Sequence, residues 1–313
     1  MKTKNNGMSR RNFLGAGLAM TAMPVMASFS TVPESIDLYQ YEPNLRDRLW
    51  MWGHLKGSIL SDWGMLDYLP DAKSLDIADA IESMGIPNAC VIPGKEVLEP
   101  DDSYFKIFLK AKRVAWCLLA ETSGNEVIEK HNLCAFEIGN KTSNLVSYYL
   151  DDFFHGNADP RSDQNTSPAH LSVEQLNELQ KEIKSLNKKI DLTCVLYSNQ
   201  LHPAIKHHID SFDAVSFWTW NATDLSALEE NFKRYREIVS DKPTLLGIYM
   251  WDFGSKKPIT MELMKNQLMF ALEKFKQHEI EGLIFHCTPL VDIGLEAVEY
   301  SKKWIAEYGD FER

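Results

Sequence analysis

Leu145-Val-Ser-Tyr-Tyr-Leu-Asp-Asp-Phe-Phe154 spells a buried β-strand that ends in charge. Its apolar, β-branched and aromatic residues, with no proline, suit a strand covered on both faces. It runs out in two adjacent carboxylates, Asp151 and Asp152. In α/β folds the chemistry collects where such strands end. Side chains alternate faces along a strand, so Ser147, Tyr149 and Asp151 share one face and Val146, Tyr148, Leu150 and Asp152 the other. The second set has the makeup of a face packed on helices, which favours Asp151 pointing inward. The plainer alternative has one Asp capping a turn and the other solvated.

The rest of the chain repeats the same unit. Strand-like runs fall at 49–54, 88–93, 113–120, 145–151, 192–197, 214–220, 244–251 and 282–286. Helical periodicity falls between them, at 74–84, 104–112, 126–131, 173–189, 203–208, 225–239, 261–277 and 295–308. Ser74 is a candidate N-cap, and Gly85 and Pro87 end the first helix. Residues 133–138, containing Glu137, have a strand-like makeup but lie too close to 145–151 to be assigned; the fourth strand is set at 145–151, and if both are full strands the count is off by one. Alternating strands and helices with continuously apolar strands mean a parallel sheet with helical crossovers. About eight units in one chain predict a single-domain α/β fold, a (β/α)8 TIM barrel over residues 35–313. The rival is an open doubly wound sheet, but no Gly-x-Gly-x-x-Gly follows the first strand, which counts against its dinucleotide-binding form.

The N-terminus reads as a targeting segment. Lys2, Lys4, Arg10 and Arg11 form a basic start, and an apolar run of about 11 residues at 13–23 is too short to span a bilayer. Ser9-Arg10-Arg11-Asn12-Phe13-Leu14 resembles the twin-arginine export motif, although Gly15 stands where that motif often has Lys, so Sec export stays open. Residues 1–30 are therefore read as a signal peptide cut near Val25-Met26-Ala27, and the mature protein as soluble in the periplasm or secreted. Net charge is −11 with no Lys/Arg cluster, which argues against nucleic-acid or acidic-membrane partners. The five cysteines lie in apolar runs with no zinc spacing and read as small buried hydrophobes. The sequence calls for no cofactor and leaves the oligomeric state open.

A barrel would gather its strand ends on one rim: Trp52 and His54, Lys95, Glu121, Asp151 and Asp152, Tyr197 and Asn199, Trp218, Trp220 and Asn221, Tyr249, Trp251 and Asp252, and His286. Indoles stack on sugar C–H surfaces, amides and carboxylates bond hydroxyls, and two carboxyl groups do acid–base work, so the mixture suits a carbohydrate substrate. Asp252 is the expected partner of the fourth-strand carboxylates, with a turn or cap role as the alternative. Glu121 and Glu137 are reserves. The polar loop 155–171 leaves the same strand end and reads as part of a substrate cleft.

The arrangement resembles the TIM-barrel glycoside hydrolases, which implies an acid/base on strand four and a nucleophile on strand seven. That superfamily uses glutamates where this chain offers aspartates, one methylene shorter. Val215-Ser-Phe-Trp-Thr-Trp-Asn-Ala-Thr-Asp-Leu225 and Gly247-Ile-Tyr-Met-Trp-Asp-Phe-Gly254 are similar to uncharacterised exported proteins of polysaccharide-degrading bacteria, which implies glycan breakdown outside the cytoplasm. Two rival readings use the same barrel. One is a metal-dependent sugar isomerase, epimerase or deacetylase with Glu121, Asp152, His155 and His286 as ligands, although no HxxxH or HExxH spacing supports it. The other is a glycan-binding barrel without catalysis.

Overall fold

The structure, a computed structural model, describes residues 41–55, 65–73, 75–93, 102–119, 126–156 and 167–313. Eight parallel strands pair in chain order and close into a barrel. They are β1 Leu49–His54, β2 Asn88–Ile92, β3 Arg113–Leu118, β4 Leu145–Leu150, β5 Asp191–Tyr197, β6 Ala214–Trp218, β7 Thr244–Tyr249 and β8 Gly282–His286. A helix follows each: α1 Ile77–Met84, α2 Asp102–Lys110, α3 Glu126–Lys141, α4 Val173–Lys184, α5 Lys206–Asp210, α6 Leu228–Val239, α7 Met261–Lys276 and α8 Glu296–Tyr308. This is the (β/α)8 TIM barrel that the alternation predicts. No described helix is long and apolar enough to cross a membrane. Residues 1–40, which include the expected signal peptide, and Ser74, Lys95, Glu121 and loop residues 157–166 lie outside the described residues.

Local chemistry explains where the helices begin and end. Asp76 caps α1, its carboxylate accepting from the Ala78 N–H at 2.8 Å, and Gly85 closes that helix at φ 67°, a left-handed conformation that costs glycine little. Ser172 and Gln175 form a reciprocal capping box at the start of α4.

One expected element is corrected. Residues 133–138 are not a strand but the second half of α3. Ile128, His131, Ala135, Ile138 and Gly139 are buried at helical spacing, while Leu133 and Glu137 face solvent. Glu137 therefore sits mid-helix, not at a strand end, and pairs with Lys141 at 3.5 Å. The largely apolar run Leu-Cys-Ala-Phe-Glu-Ile looks strand-like in composition, but the buried residues fall at helical spacing.

The register of β4 follows from its two faces. Tyr148 points out to α3, where its hydroxyl donates to the Ala135 carbonyl at 2.7 Å. It needs Gly139 beneath it, because a Cβ there would lie 2.2 Å from the Tyr148 oxygen. Ser147 and Tyr149 point in and line an interior cavity of about 20 Å³, together with Trp52, Thr193, Ser216 and Trp218. That volume admits about one water.

The N-terminal end of the barrel is plugged by compensated charge. Asp47 pairs with Lys112 at 2.8 Å and with the buried Arg113 at 3.2 Å. Glu281 pairs with Arg48 at 3.0 Å and Arg313 at 2.5 Å. Asn88, fully buried, donates to the Asp47 and Leu49 carbonyls. The Tyr41 ring carries the Arg48 and Arg113 guanidiniums at 4.6 and 4.7 Å from its centroid.

Candidate active site

The opposite rim is built from the last inward-facing residue of each strand. β1 contributes Trp52 and His54, β4 Tyr149 and the turn residues Asp151 and Asp152, β5 Tyr197, β7 Tyr249, and β8 His286. β2 and β3 add Cys90 and Cys117, whose thiols feel the charge of Asp151.

Asp151 continues the inner face of β4 among Cys90, Cys117 and Tyr149. Part of the residue is open to solvent. Burial, then the charge of Asp152, push its carboxyl up to about 8. A carboxylic acid with that value keeps its proton at neutral pH and can donate it. Asp152 takes the left-handed conformation, φ 46°, so its carboxylate leaves the strand's alternation. Its N–H donates to Asp151 Oδ1 at 3.1 Å, and its Oδ1 accepts from the Tyr197 hydroxyl at 2.9 Å. The sequence reading set the two aspartates on opposite faces; the turn brings both to the mouth.

Asp252 follows β7 and is 4% exposed. It lies in a tight turn, exchanging backbone hydrogen bonds with Lys257 at 3.1 and 3.2 Å, and its Oδ1 accepts from the Ser255 N–H at 3.0 Å. Asn221, after β6, meets the same turn: a Cβ on Gly254 would lie 2.5 Å from Asn221 Oδ1 and 3.5 Å from Asp252 Oδ1. In the ring order β8 stands opposite β4, and β7 lies one strand to the side. Asp252, the expected partner of the fourth-strand carboxylates, therefore does not stand directly across the barrel from them.

The histidines are uncharged at neutral pH. Burial pushes His54 down to about 3, and burial with the neighbouring His54 lowers His286 well below its ordinary value. Trp52 packs between them, 4.8 Å from His54 and 4.2 Å from His286 by ring centroids.

The aromatic residues divide into wall and platform. Trp218 is buried, with its Nε1–H donated to Ser216 at 3.0 Å. Its ring fills the space over Gly247, where a Cβ would come within 2.0 Å. Trp251 is buried and stacks on Tyr68 at 6.3 Å. Trp220 is 42% exposed and stands at right angles to Tyr197 and Tyr249, 6.0 and 5.8 Å away. Asn199 is exposed in the turn after β5.

Two residues of the mouth were missed. Phe253 packs on Trp220, Tyr249 and His286 at 5.9, 5.6 and 4.9 Å. It directly follows Asp252, so extending the strand-end list by one residue would have found it. Tyr68 comes from the β1–α1 connection, where no periodicity marks its place. Among the described residues no group of three or more His, Cys, Asp or Glu is placed to hold a metal.

No family model matches the chain, and no curated protein matches it in sequence. Solved structures do. An endo-α-mannosidase of Bacteroides thetaiotaomicron superposes with a TM-score of 0.51 at 7% identity, over 86% of this chain and 98% of that one. The second active domain of a Pyrococcus furiosus chitinase, solved with chito-oligosaccharides, gives 0.50 at 13% identity, over 84% and 96%. The chain has the fold of the TIM-barrel glycoside hydrolases. At such identities the likeness is one of fold, and residue roles rest on the rim itself.

Proposed function

We propose that the protein is an exported glycoside hydrolase, with Asp151 as the general acid. The observation that carries this reading is the Asp151–Asp152 pair on the rim, whose first carboxyl keeps its proton near neutral pH. Protonating a glycosidic oxygen needs the first, and stabilising the cationic transition state or activating water needs a carboxylate. Asp252 is the second carboxylate of this reading, since the turn binds only its Oδ1 among the described residues. Neutral His54 and His286 can bond sugar hydroxyls without adding charge, and Trp220 offers the exposed indole face. The basic, twin-arginine-like start of the chain supports export.

The test is a panel of neutral, amino and acidic polysaccharides with products sized by chromatography. Asp151→Asn or Asp152→Asn should lower hydrolysis at least about 10²-fold without lowering the melting temperature. Full activity in both single variants ends the assignment. Binding without cleavage by the native protein supports the non-catalytic barrel instead. Replacing Arg10 and Arg11 by Lys should retain the precursor in the cytoplasm, and unaltered fractionation would point to Sec export.

A further inference from the structure

Asn221 opens the short 3-10 turn Ala222–Ala227 after β6, at a position where an asparagine side chain ordinarily accepts a backbone N–H. Here the side chain caps nothing. The backbone closes the turn instead, the Asp224 N–H donating to the Asn221 carbonyl at 3.0 Å. The side-chain amide is turned toward two other neighbours. Its Nδ2 donates to Asp224 Oδ2 at 3.4 Å, and its Oδ1 lies over Gly254, 2.5 Å from where a Cβ would stand. A carboxylate only accepts, so the nitrogen end must face Asp224 and the oxygen end Gly254.

That contact is half of a match between two turns. Trp220 stacks on Phe253 at 5.9 Å, and the next residue, Asn221, meets the next residue, Gly254. Asp252 and Phe253 are buried, whereas Trp220 and Asn221 are exposed. An open indole and an open amide therefore stand side by side on one lip of the mouth, held from behind by the turn after β7. An amide carries two N–H groups and two carbonyl lone pairs, and Asp224 takes one N–H. The remaining donor and acceptor suit the hydroxyls of a sugar, each of which both donates and accepts.

We infer that Asn221 bonds hydroxyls of the sugar stacked on Trp220, and that Gly254 is the positioning residue that leaves room for its amide. This deepens the hydrolase reading and rests on it for the carbohydrate ligand. Gly254 does not have a left-handed backbone, so a side chain there would offend by its volume and not by its φ. The volume would fall on the tip of a flexible side chain, which can swing away. Asp252 Oδ1 lies 3.5 Å from the same point, an ordinary contact, and stays where it is. A methyl at 254 thus removes the Asn221 amide from its place and leaves the carboxylate of the reaction alone.

The experiment is a double-mutant cycle in the full-length mature protein. Binding is measured by calorimetry in the Asp151→Asn background, and KM and kcat with Asp151 intact. The probes are hexasaccharides of glucose, of mannose and of N-acetylglucosamine. Asn221→Ala should weaken the best-bound probe about fivefold, the scale of hydrogen bonds between neutral groups, with kcat and melting temperature held. Gly254→Ala should weaken it by nearly the same factor. The double variant should bind no more weakly than either single one, because the clash exists only while the asparagine is present. Native binding in Asn221→Ala overturns the inference. So does a Gly254→Ala loss that persists beside Asn221→Ala or falls on kcat, since that would mean a disturbed turn and a displaced Asp252. If Gly254→Ala does not fold, Asp224→Ala takes its place in the cycle: it should weaken binding by less, and only while Asn221 is present, and an equal loss in both backgrounds overturns the inference. Binding in this pattern without cleavage keeps the inference and ends the hydrolase reading. Cleavage with unaltered binding in Asn221→Ala does the reverse, and binding of none of the probes overturns the inference.

Discussion

The two ends of this barrel treat charge in opposite ways. At the N-terminal end the charges of the plug meet counter-charges: Asp47 between Lys112 and Arg113, Glu281 between Arg48 and Arg313. At the C-terminal end Asp151 is surrounded by thiols, phenols and a second carboxylate, and among the described residues no cation acts on it. The consequences appear in proton affinity. Burial alone would raise Asp47, but Lys112, the Glu42 N–H and Arg113 outweigh it and hold that carboxyl below its ordinary value. Nothing outweighs burial at Asp151. The closed end spends its charges on holding strands together, and the open end keeps one carboxyl in a state that folding alone would not select.

The largest effect should come from breaking the compensation at the closed end. Arg113→Met leaves Asp47 buried with one partner fewer and strips a guanidinium from the Tyr41 ring. The expected loss is about 3 kcal/mol in urea unfolding, with the turnover of the folded protein unchanged. A variant as stable as the native protein would show the plug to be decoration.

A smaller effect, of opposite sign in pH, should come from the open end. The carboxyl of Asp151 lies at about 8 when folded and near 3.8 when unfolded. Between those values the folded protein holds the extra proton, so this group's contribution to stability falls as pH rises through the window. Its slope cannot exceed about 1.4 kcal/mol per pH unit. Asp151→Asn should flatten that slope and make the protein the more stable of the two above pH 8. Asp47 works the other way: depressed when folded, it contributes stability at neutral pH that is lost as pH falls through its folded value. Urea midpoints across the pH range would separate the two ends, and a native curve already flat between pH 4 and 8 would refute the raised Asp151.

The barrel was legible because its strands are read locally. A continuously apolar run such as Leu145–Leu150 declares burial on both faces wherever it sits in the chain. The rim was legible in part, since residues at strand ends converge once the barrel is granted; this recovered Asp151, Tyr197, Tyr249 and His286. What failed depended on geometry that no period encodes. Glu137 was drawn in by a strand-like spelling within α3. Tyr68 reaches the mouth from an aperiodic connection. The link from Asp152 to Tyr197 required the backbone of Asp152 to turn left-handed, which strand alternation forbids. The plug was unreadable for the same reason, as Tyr41, Arg48, Arg113 and Arg313 meet only after the ring closes.

The finest division lies within the open end, between indoles that build the wall and the one that faces outward. Trp218 and Trp251 are buried against Gly247 and Tyr68, so truncating either opens a cavity and costs folding energy before it tells anything about substrate. Trp220 touches Tyr197, Tyr249 and Phe253 by its edges and one face, and 42% of it remains exposed. Trp220→Ala should therefore leave the melting temperature nearly unchanged. Stacking of this kind contributes about 1 kcal/mol, so KM for a glycan should rise roughly fivefold while kcat holds, the pattern of binding lost equally from ground state and transition state. A fall in kcat with KM constant would instead mean that Trp220 acts through Tyr197 on the carboxylate pair, and would move the indole from platform to positioning group.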